Sequence, residues 1–169
     1  MNELPKRKAT RLKGYDYSQG GSVFITICIY GKERILSQIL KDEKTNECKL
    51  RLSECGKTVK IFLEQVPEKY PCFSVDNYII MPDHLHFIIT KDNSSPNDIS
   101  TNQIIGWLKY NITKEINKIR KTPGMKVFQR SYYDHIIISE KDYMNHWNYI
   151  YENPFRWNDD LYLVYPDNE

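Results

Sequence analysis

The stretch Met81-Pro82-Asp83-His84-Leu85-His86, running straight into Phe87-Ile88-Ile89-Thr90, constrains the fold more than any other part of the chain. A short apolar run rich in branched residues and preceded by a proline reads as a buried strand rather than a helix. Side chains alternate along a strand, so His84 and His86 share one face while Leu85, Phe87 and Ile89 share the other. The imidazoles are attached about 6.5 to 7 Å apart, a spacing that lets a nitrogen from each converge on one ion at roughly 2.0 to 2.2 Å. A lone histidine in such a strand is ordinarily a satisfied core or edge residue. A same-face pair is different: each buried polar group without a partner costs about 1 to 3 kcal/mol, and the pair points to a metal or phosphate role.

The remaining segments supply neighbours for that strand. Ser22 to Tyr30 alternates two largely apolar sets, as a central strand covered on both sides does. Cys48 to Leu52 is a short strand candidate, and Ser53 caps a helix that carries Val59, Phe62, Leu63 and Val66 at helical spacing and that Pro67 and Pro71 close. Phe73 to Ile80 forms a further strand, joined to the histidine strand by the turn Met81-Pro82-Asp83. A long helix follows from about Ser100 to Arg120, with Ile104, Ile105, Leu108, Ile112, Ile116 and Ile119 in one stripe and Pro123-Gly124 at its end. Val127 to Ile138 reads as a strand, and Ser139 caps a last helix that Pro154 stops after Asn153. Strand, helix, two strands, helix, strand is the ferredoxin-like split pattern. The expected class is α+β, an antiparallel sheet with helices on one face plus the added C-terminal helix.

At 169 residues and 40% apolar content the chain fits a basic segment, 1–21, followed by a single domain, 22–169. The net charge of +2 does not by itself announce a nucleic-acid partner, but its distribution suggests one. Lys6, Arg7, Lys8, Arg11 and Lys13 crowd the N-terminus, and Lys109, Lys114, Lys118, Arg120, Lys121, Lys126 and Arg130 gather later, as phosphate-tracking clusters do. Cys28, Cys48, Cys55 and Cys72 form no Cys-x-x-Cys pair and read as reduced thiols. No apolar run has the length of a signal or membrane segment, so a cytoplasmic protein with no membrane partner is expected.

On a helical wheel of the last helix, Tyr143, Trp147, Ile150 and Pro154 make the packing stripe. Asp142, Asn145, His146, Tyr149 and Asn153 fall on the other side. Tyr149 and Asn153 lie one turn apart, so the phenol and an amide oxygen able to complete a two-histidine cation site project together. His146, one turn before Tyr149, is a candidate aid to its deprotonation or a plain surface histidine; His135 reads as structural.

These residues carry a resemblance. Met-Pro-Asp-His-Leu-His is similar to the histidine-hydrophobe-histidine motif of single-tyrosine transposases. Tyr149-Ile150-Tyr151-Glu152-Asn153-Pro154 resembles the tyrosine helix of the branch called REP-associated tyrosine transposases. Lys13 to Gln19 and Gln129 to His135 resemble that branch too, with Phe128 where many relatives have tryptophan. The resemblance implies that His84, His86 and Asn153 bind a divalent ion, Mg²⁺ or Mn²⁺, and that Tyr149 is the nucleophile. It further implies single-stranded DNA cut near hairpins, a covalent 5′-phosphotyrosine with a free 3′ hydroxyl, and action in DNA transposition as a monomer or homodimer, nucleoid-associated when on DNA. The basic residues Lys6, Arg7, Lys8, Arg11, Lys13 and Arg130 are the expected DNA contacts. The chief alternative is a non-catalytic ferredoxin-like module that binds single-stranded nucleic acid by stacking bases on aromatics. A histidine-triad hydrolase is excluded, because position 88 is Ile88.

Overall fold

Antiparallel pairing on both sides of β1 (Gly21–Cys28) builds the sheet. In the computed structural model, which describes residues 20–41, 48–92 and 99–157, β1 is followed by β2 (Ser37–Lys41), β3 (Cys48–Leu52), α1 (Glu54–Glu64) and α2 (Val66–Lys69). Then come β4 (Phe73–Ile80), β5 (His84–Lys91), α3 (Thr101–Arg120), β6 (Tyr133–Ile136) and α4 (Glu140–Glu152). The sheet order is β4-β5-β1-β6, with every neighbour antiparallel, and β2 and β3 form a separate ribbon. This is the expected α+β split pattern, with α1 and α3 as its two crossover helices.

Strand alternation divides the two faces. Val23, Ile25 and Ile27 of β1 and Leu85, Phe87 and Ile89 of β5 bury against Val59 and Leu63 of α1 and Ile104, Ile105, Leu108, Ile112 and Ile116 of α3. Each such side chain contributes about 1.5 to 3 kcal/mol, which makes this face the main source of stability. On the opposite face Phe24, Ile88 and Ile150 form a smaller cluster, edged by Tyr143, Trp147 and Tyr149 of α4. Among the described residues no helix is long and apolar enough to cross a membrane.

Several boundaries differ from expectation. Pro67 does not close the first helical segment; it sits in the opening turn of α2, where a missing N–H is harmless. Ile119 is 45% exposed, so the α3 stripe ends at Ile116. The helix stops at Lys121, which adopts a left-handed conformation at φ 56°, before Pro123-Gly124 is reached. The strand expected over Val127–Ile138 contracts to Tyr133–Ile136 plus an isolated bridge between Phe128 and Ile29. Its missing middle has a cause: Lys109 Nζ donates to the Gln129 and Arg130 carbonyls at 2.6 and 2.9 Å, taking acceptors a strand partner would use. β2 has no counterpart among the expected elements, since its stabilisation comes from pairing with β3.

Gly56 lets α1 dock. A Cβ there would lie 2.0 Å from the Leu36 carbonyl oxygen, which already accepts from the Ser53 N–H. At Gly106 in α3, by contrast, an added Cβ would meet nothing within 4 Å. Gly56→Ala is therefore expected to destabilise by about 3 kcal/mol or more, and Gly106→Ala to stabilise by about 0.5 to 1 kcal/mol, as read from denaturant midpoints.

Candidate active site

The register of β1 on β5 sets the site: Cys28 lies opposite His84, Thr26 opposite His86 and Phe24 opposite Ile88. His86 is 1% exposed, and its Nδ1 is 2.7 Å from Thr26 Oγ1. With the proton on Nδ1 and donated to Thr26, Nε2 keeps a bare lone pair, and that buried Nε2 has no hydrogen-bond partner among the described residues. Burial first, and His84 second, hold the His86 pKa well below the ordinary value, so the ring is neutral and fit to be a ligand. His84, less buried, donates Nδ1–H to Asp83 Oδ1 at 2.6 Å, the tautomer that in a neutral ring puts the lone pair on Nε2. A ligand imidazole whose other nitrogen is held by a carboxylate or hydroxyl is the usual supporting arrangement at metal centres. The two rings stand 4.7 Å apart at 70°.

α4 begins because Ser139 caps it, accepting from Asp142 N–H, and it lies across this face of the sheet. Ile150 seats against Phe24 and Ile88, Tyr143 Oη donates to Asp76 Oδ2 at 3.0 Å, and Asn77 Nδ2 donates to the Trp147 carbonyl at 3.4 Å. Tyr149 is not turned away from the packing surface, as its wheel position suggested. Its ring rests 5.2 Å from His86 and 5.9 Å from Phe24, because the histidine face of the sheet is itself what α4 covers. Asn153, at the C-cap, is 0% exposed, and neither its Oδ1 nor its Nδ2 finds a hydrogen-bond partner among the described residues. One turn further on, Trp157 stacks on His84 at 6.0 Å, with the Arg34 guanidinium 5.3 Å from the indole centroid. Along the chain Asn153 is thus flanked, one turn to each side, by Tyr149 and Trp157, whose rings contact His86 and His84 respectively.

The test for a bound cation is whether these atoms want one. A buried amide and a buried imidazole nitrogen without partners are a standing cost, and an imidazole, imidazole, amide-oxygen set suits a divalent ion, so the residues fit.

No protein-family model matches the chain. A Haemophilus influenzae protein described as "Uncharacterized protein" is 32% identical over 177 residues, 94% of this chain and 93% of its own length. A second H. influenzae protein, "Putative REP-associated tyrosine transposase", is 29% identical over 149 residues, 83% of this chain and 74% of its own. In structure, a REP-associated tyrosine transposase bound to a REP hairpin superposes over 100% of this chain and 92% of that one, with TM-score 0.56 at 18% identity. The chain resembles REP-associated tyrosine transposases in sequence and in fold. A "putative transposase" from Deinococcus radiodurans R1 shares the fold, with TM-score 0.51 at 16% identity over 84% of this chain and 95% of that one. That similarity supports a transposase role.

Sequence reasoning did not find Thr26, Asp83, Phe24 or Trp157. Asp83 was within reach, being adjacent to His84, whereas Thr26 matters only through its register against His86. Of the expected DNA contacts, Lys6, Arg7, Lys8, Arg11 and Lys13 lie outside the described residues, and Arg130 is exposed. The later basic cluster is partly committed inside the fold: Arg120 pairs with Glu33 at 2.6 Å and Lys118 with Glu115 at 2.6 Å. Lys109 is pinned to two carbonyls, and burial pushes its ammonium down to about 8. His146 has its Nδ1 2.9 Å from the Asp142 carbonyl and its ring against Phe24 and His135, an engagement that does not favour a role as the base for Tyr149.

If the Asn153 amide is kept for a ligand and not for the fold, a nonpolar isostere should be tolerated. Asn153→Leu, in protein treated with chelator, is expected to be neutral or up to about 2 kcal/mol more stable than wild type by thermal denaturation. A loss of more than about 1 kcal/mol would instead make Asn153 structural.

Proposed function

We propose that the chain is a metal-dependent single-stranded DNA endonuclease and transposase that cuts and rejoins DNA near hairpins through a covalent 5′-phosphotyrosine at Tyr149. The observation that carries this reading is the Tyr149 ring packed on His86, whose buried Nε2, like the buried amide of Asn153 one turn beyond Tyr149, has no hydrogen-bond partner among the described residues. His84, His86 and Asn153 would hold Mg²⁺ or Mn²⁺. When bound, the ion supplies Lewis-acid stabilisation of the charge that builds on a non-bridging phosphate oxygen.

The chain's own residues do the rest. A phenol of ordinary pKa about 10 is a weak nucleophile until it is oriented and deprotonated. α4 supplies the orientation, because Ile150, next to Tyr149, is locked against Phe24 and Ile88. Tyr149 Oη attacks phosphorus and loses its proton; the Oη–P bond forms as the P–O3′ bond breaks, and the departing 3′ oxygen takes up a proton. Attack by a 3′ hydroxyl on the phosphotyrosine reverses these changes and rejoins a strand. Thr26 and Asp83 keep both imidazoles in one tautomer and orientation. Arg34, on Trp157, brings a fixed positive charge beside His84 for the phosphate backbone. The rival stacking module is less favoured, since such modules lay bases on an open sheet and here α4 lies across the free face. That one solved relative is bound to a REP hairpin supports hairpin DNA as the partner.

With labelled hairpin oligonucleotide on a denaturing gel, Tyr149→Phe is expected to abolish the covalent adduct while sparing binding. Chelator, His84→Ala and His86→Ala are each expected to slow cleavage at least about 100-fold, and added Mg²⁺ or Mn²⁺ to restore only the chelated wild type. An undiminished adduct in Tyr149→Phe would overturn the assignment.

The basic segment is proposed to grip phosphates ahead of the catalytic domain. Removing residues 1–13 should flatten the slope of log affinity against log salt by up to about 3, or roughly 0.7 for each of five engaged charges, measured by fluorescence anisotropy. An unchanged slope would place DNA recognition elsewhere.

A further inference from the structure

The chain has four histidines, and the fold sorts them into two pairs on the same side of the sheet. One pair is His84 and His86. The other is His135 of β6, opposite Phe24 in the sheet register, and His146 of α4. Between them stands Asp142, one turn before His146 on the helix face that β6 meets. His135 Nε2 is 3.0 Å from Asp142 Oδ2 and 3.2 Å from Oδ1, and His146 Nδ1 is 3.1 Å from that same Oδ1. One ligand atom from each residue lies within 4.8 Å of the other two, and the imidazoles stack at 4.5 Å and 25°.

Atoms bound to one ion at about 2.0 to 2.2 Å must themselves stand roughly 3.0 to 3.5 Å apart when adjacent, which the two histidine–aspartate separations satisfy. Aspartate and histidine at i and i+4 present their ligand atoms on one helix face, as metal-binding helices do. Burial raises the Asp142 carboxyl, but the bonds from His135 and the Ile138 N–H outweigh it and keep the group ionised below its ordinary pKa. The side chains keep 37%, 18% and 21% exposure at His135, Asp142 and His146, so an ion can enter from solvent. Hydrogen bonds explain either imidazole alone. They do not require two rings from two elements to converge on a single carboxylate.

We propose that His135, Asp142 and His146 form a second cation site, which takes a borderline transition-metal dication such as Zn²⁺ and staples the start of α4 to β6. Two imidazoles and one ionised carboxylate are a donor set that borderline dications such as Zn²⁺ and Co²⁺ bind well. Three protein ligands leave at least one position for water. Loading requires a lone pair on His135 Nε2 and on His146 Nδ1, so any proton those atoms share with Asp142 must leave them. The Phe24 ring lies 4.7 Å from that of His146 and 5.3 Å from that of His86, so the two sites are neighbours but share no ligand.

The test removes the first histidine pair and counts metal without reference to DNA cleavage. Full-length His84→Ala/His86→Ala protein, titrated with Co²⁺ or Zn²⁺, is expected to bind one equivalent, to show visible d–d absorption with Co²⁺, and to melt at a higher temperature when loaded. Adding His135→Gln, which retains a hydrogen-bond donor toward Asp142, or Asp142→Asn should weaken that equivalent at least tenfold and remove the melting shift, with circular dichroism confirming the fold. If the doubly substituted background misfolds, the same count is made in otherwise wild-type chains, where His135→Gln should lower two Co²⁺ equivalents to one. Equal stoichiometry with and without His135→Gln, or no bound equivalent in the folded background, overturns the site and leaves the cluster as a hydrogen-bonded lock.

Discussion

The antiparallel register between β1 and β5 is the constraint on which everything else depends. Eight consecutive residue pairs, from Gly21↔Lys91 to Cys28↔His84, hold it. In a strand a slip of one residue exchanges the two faces, and here it would turn Leu85, Phe87 and Ile89 out of the main core and drive the histidines into it. The hydrophobic penalty for that exchange amounts to several buried side chains, each about 1.5 to 3 kcal/mol, so the core enforces the register. The same register sets Thr26 beside His86. Orientation of a candidate ligand is therefore a by-product of packing on the reverse side of the sheet.

The site face carries what the core face does not tolerate. His86 Nε2 and both polar atoms of Asn153 are buried without hydrogen-bond partners among the described residues, and the apolar cluster beside them, Phe24, Ile88 and Ile150, is small. α4 is accordingly secured by discrete polar anchors as well as by area: Tyr143 to Asp76 on β4, Trp147 to Asn77, and Asp142 to His135 on β6. Asp76 sits at an irregularity in the β4–β5 pairing and also accepts from Ser74 and Thr90, so the strand distortion aims a carboxylate at the helix. A helix held this way at three points presents Tyr149 in a defined place while keeping the polar atoms around it free for a ligand.

Local chemistry made much of this legible in the linear chain. Ser53, Ser100 and Ser139 act as helix caps, each accepting from a backbone N–H in the first turn, because a side-chain oxygen near an unpaired N–H is a local interaction that needs no distant partner. Cys48–Leu52 and Phe73–Ile80 appear at the expected bounds, since strand alternation and proline or turn signals are likewise local. The pairing of His84 with His86 on one face, and of Tyr149 with Asn153 one turn apart, follows from the periods of strand and helix alone.

What the linear chain left open was decided by contacts between distant segments. β2 exists because β3 pairs with it, and the strand after α3 is shortened because Lys109 reaches across to capture its carbonyls. Tyr149 faces the sheet because a helix wheel sorts residues by polarity, whereas the surface α4 covers is built from Phe24 and two histidines and is itself mixed. Thr26, Trp157 and the cluster of His135, Asp142 and His146 are brought to their places by register and docking over separations that no periodicity encodes. The sequence by itself determined which residues could share a face, because backbone geometry repeats every few residues. Only the tertiary structure decided which faces meet, because that choice is settled by burial summed over the whole domain.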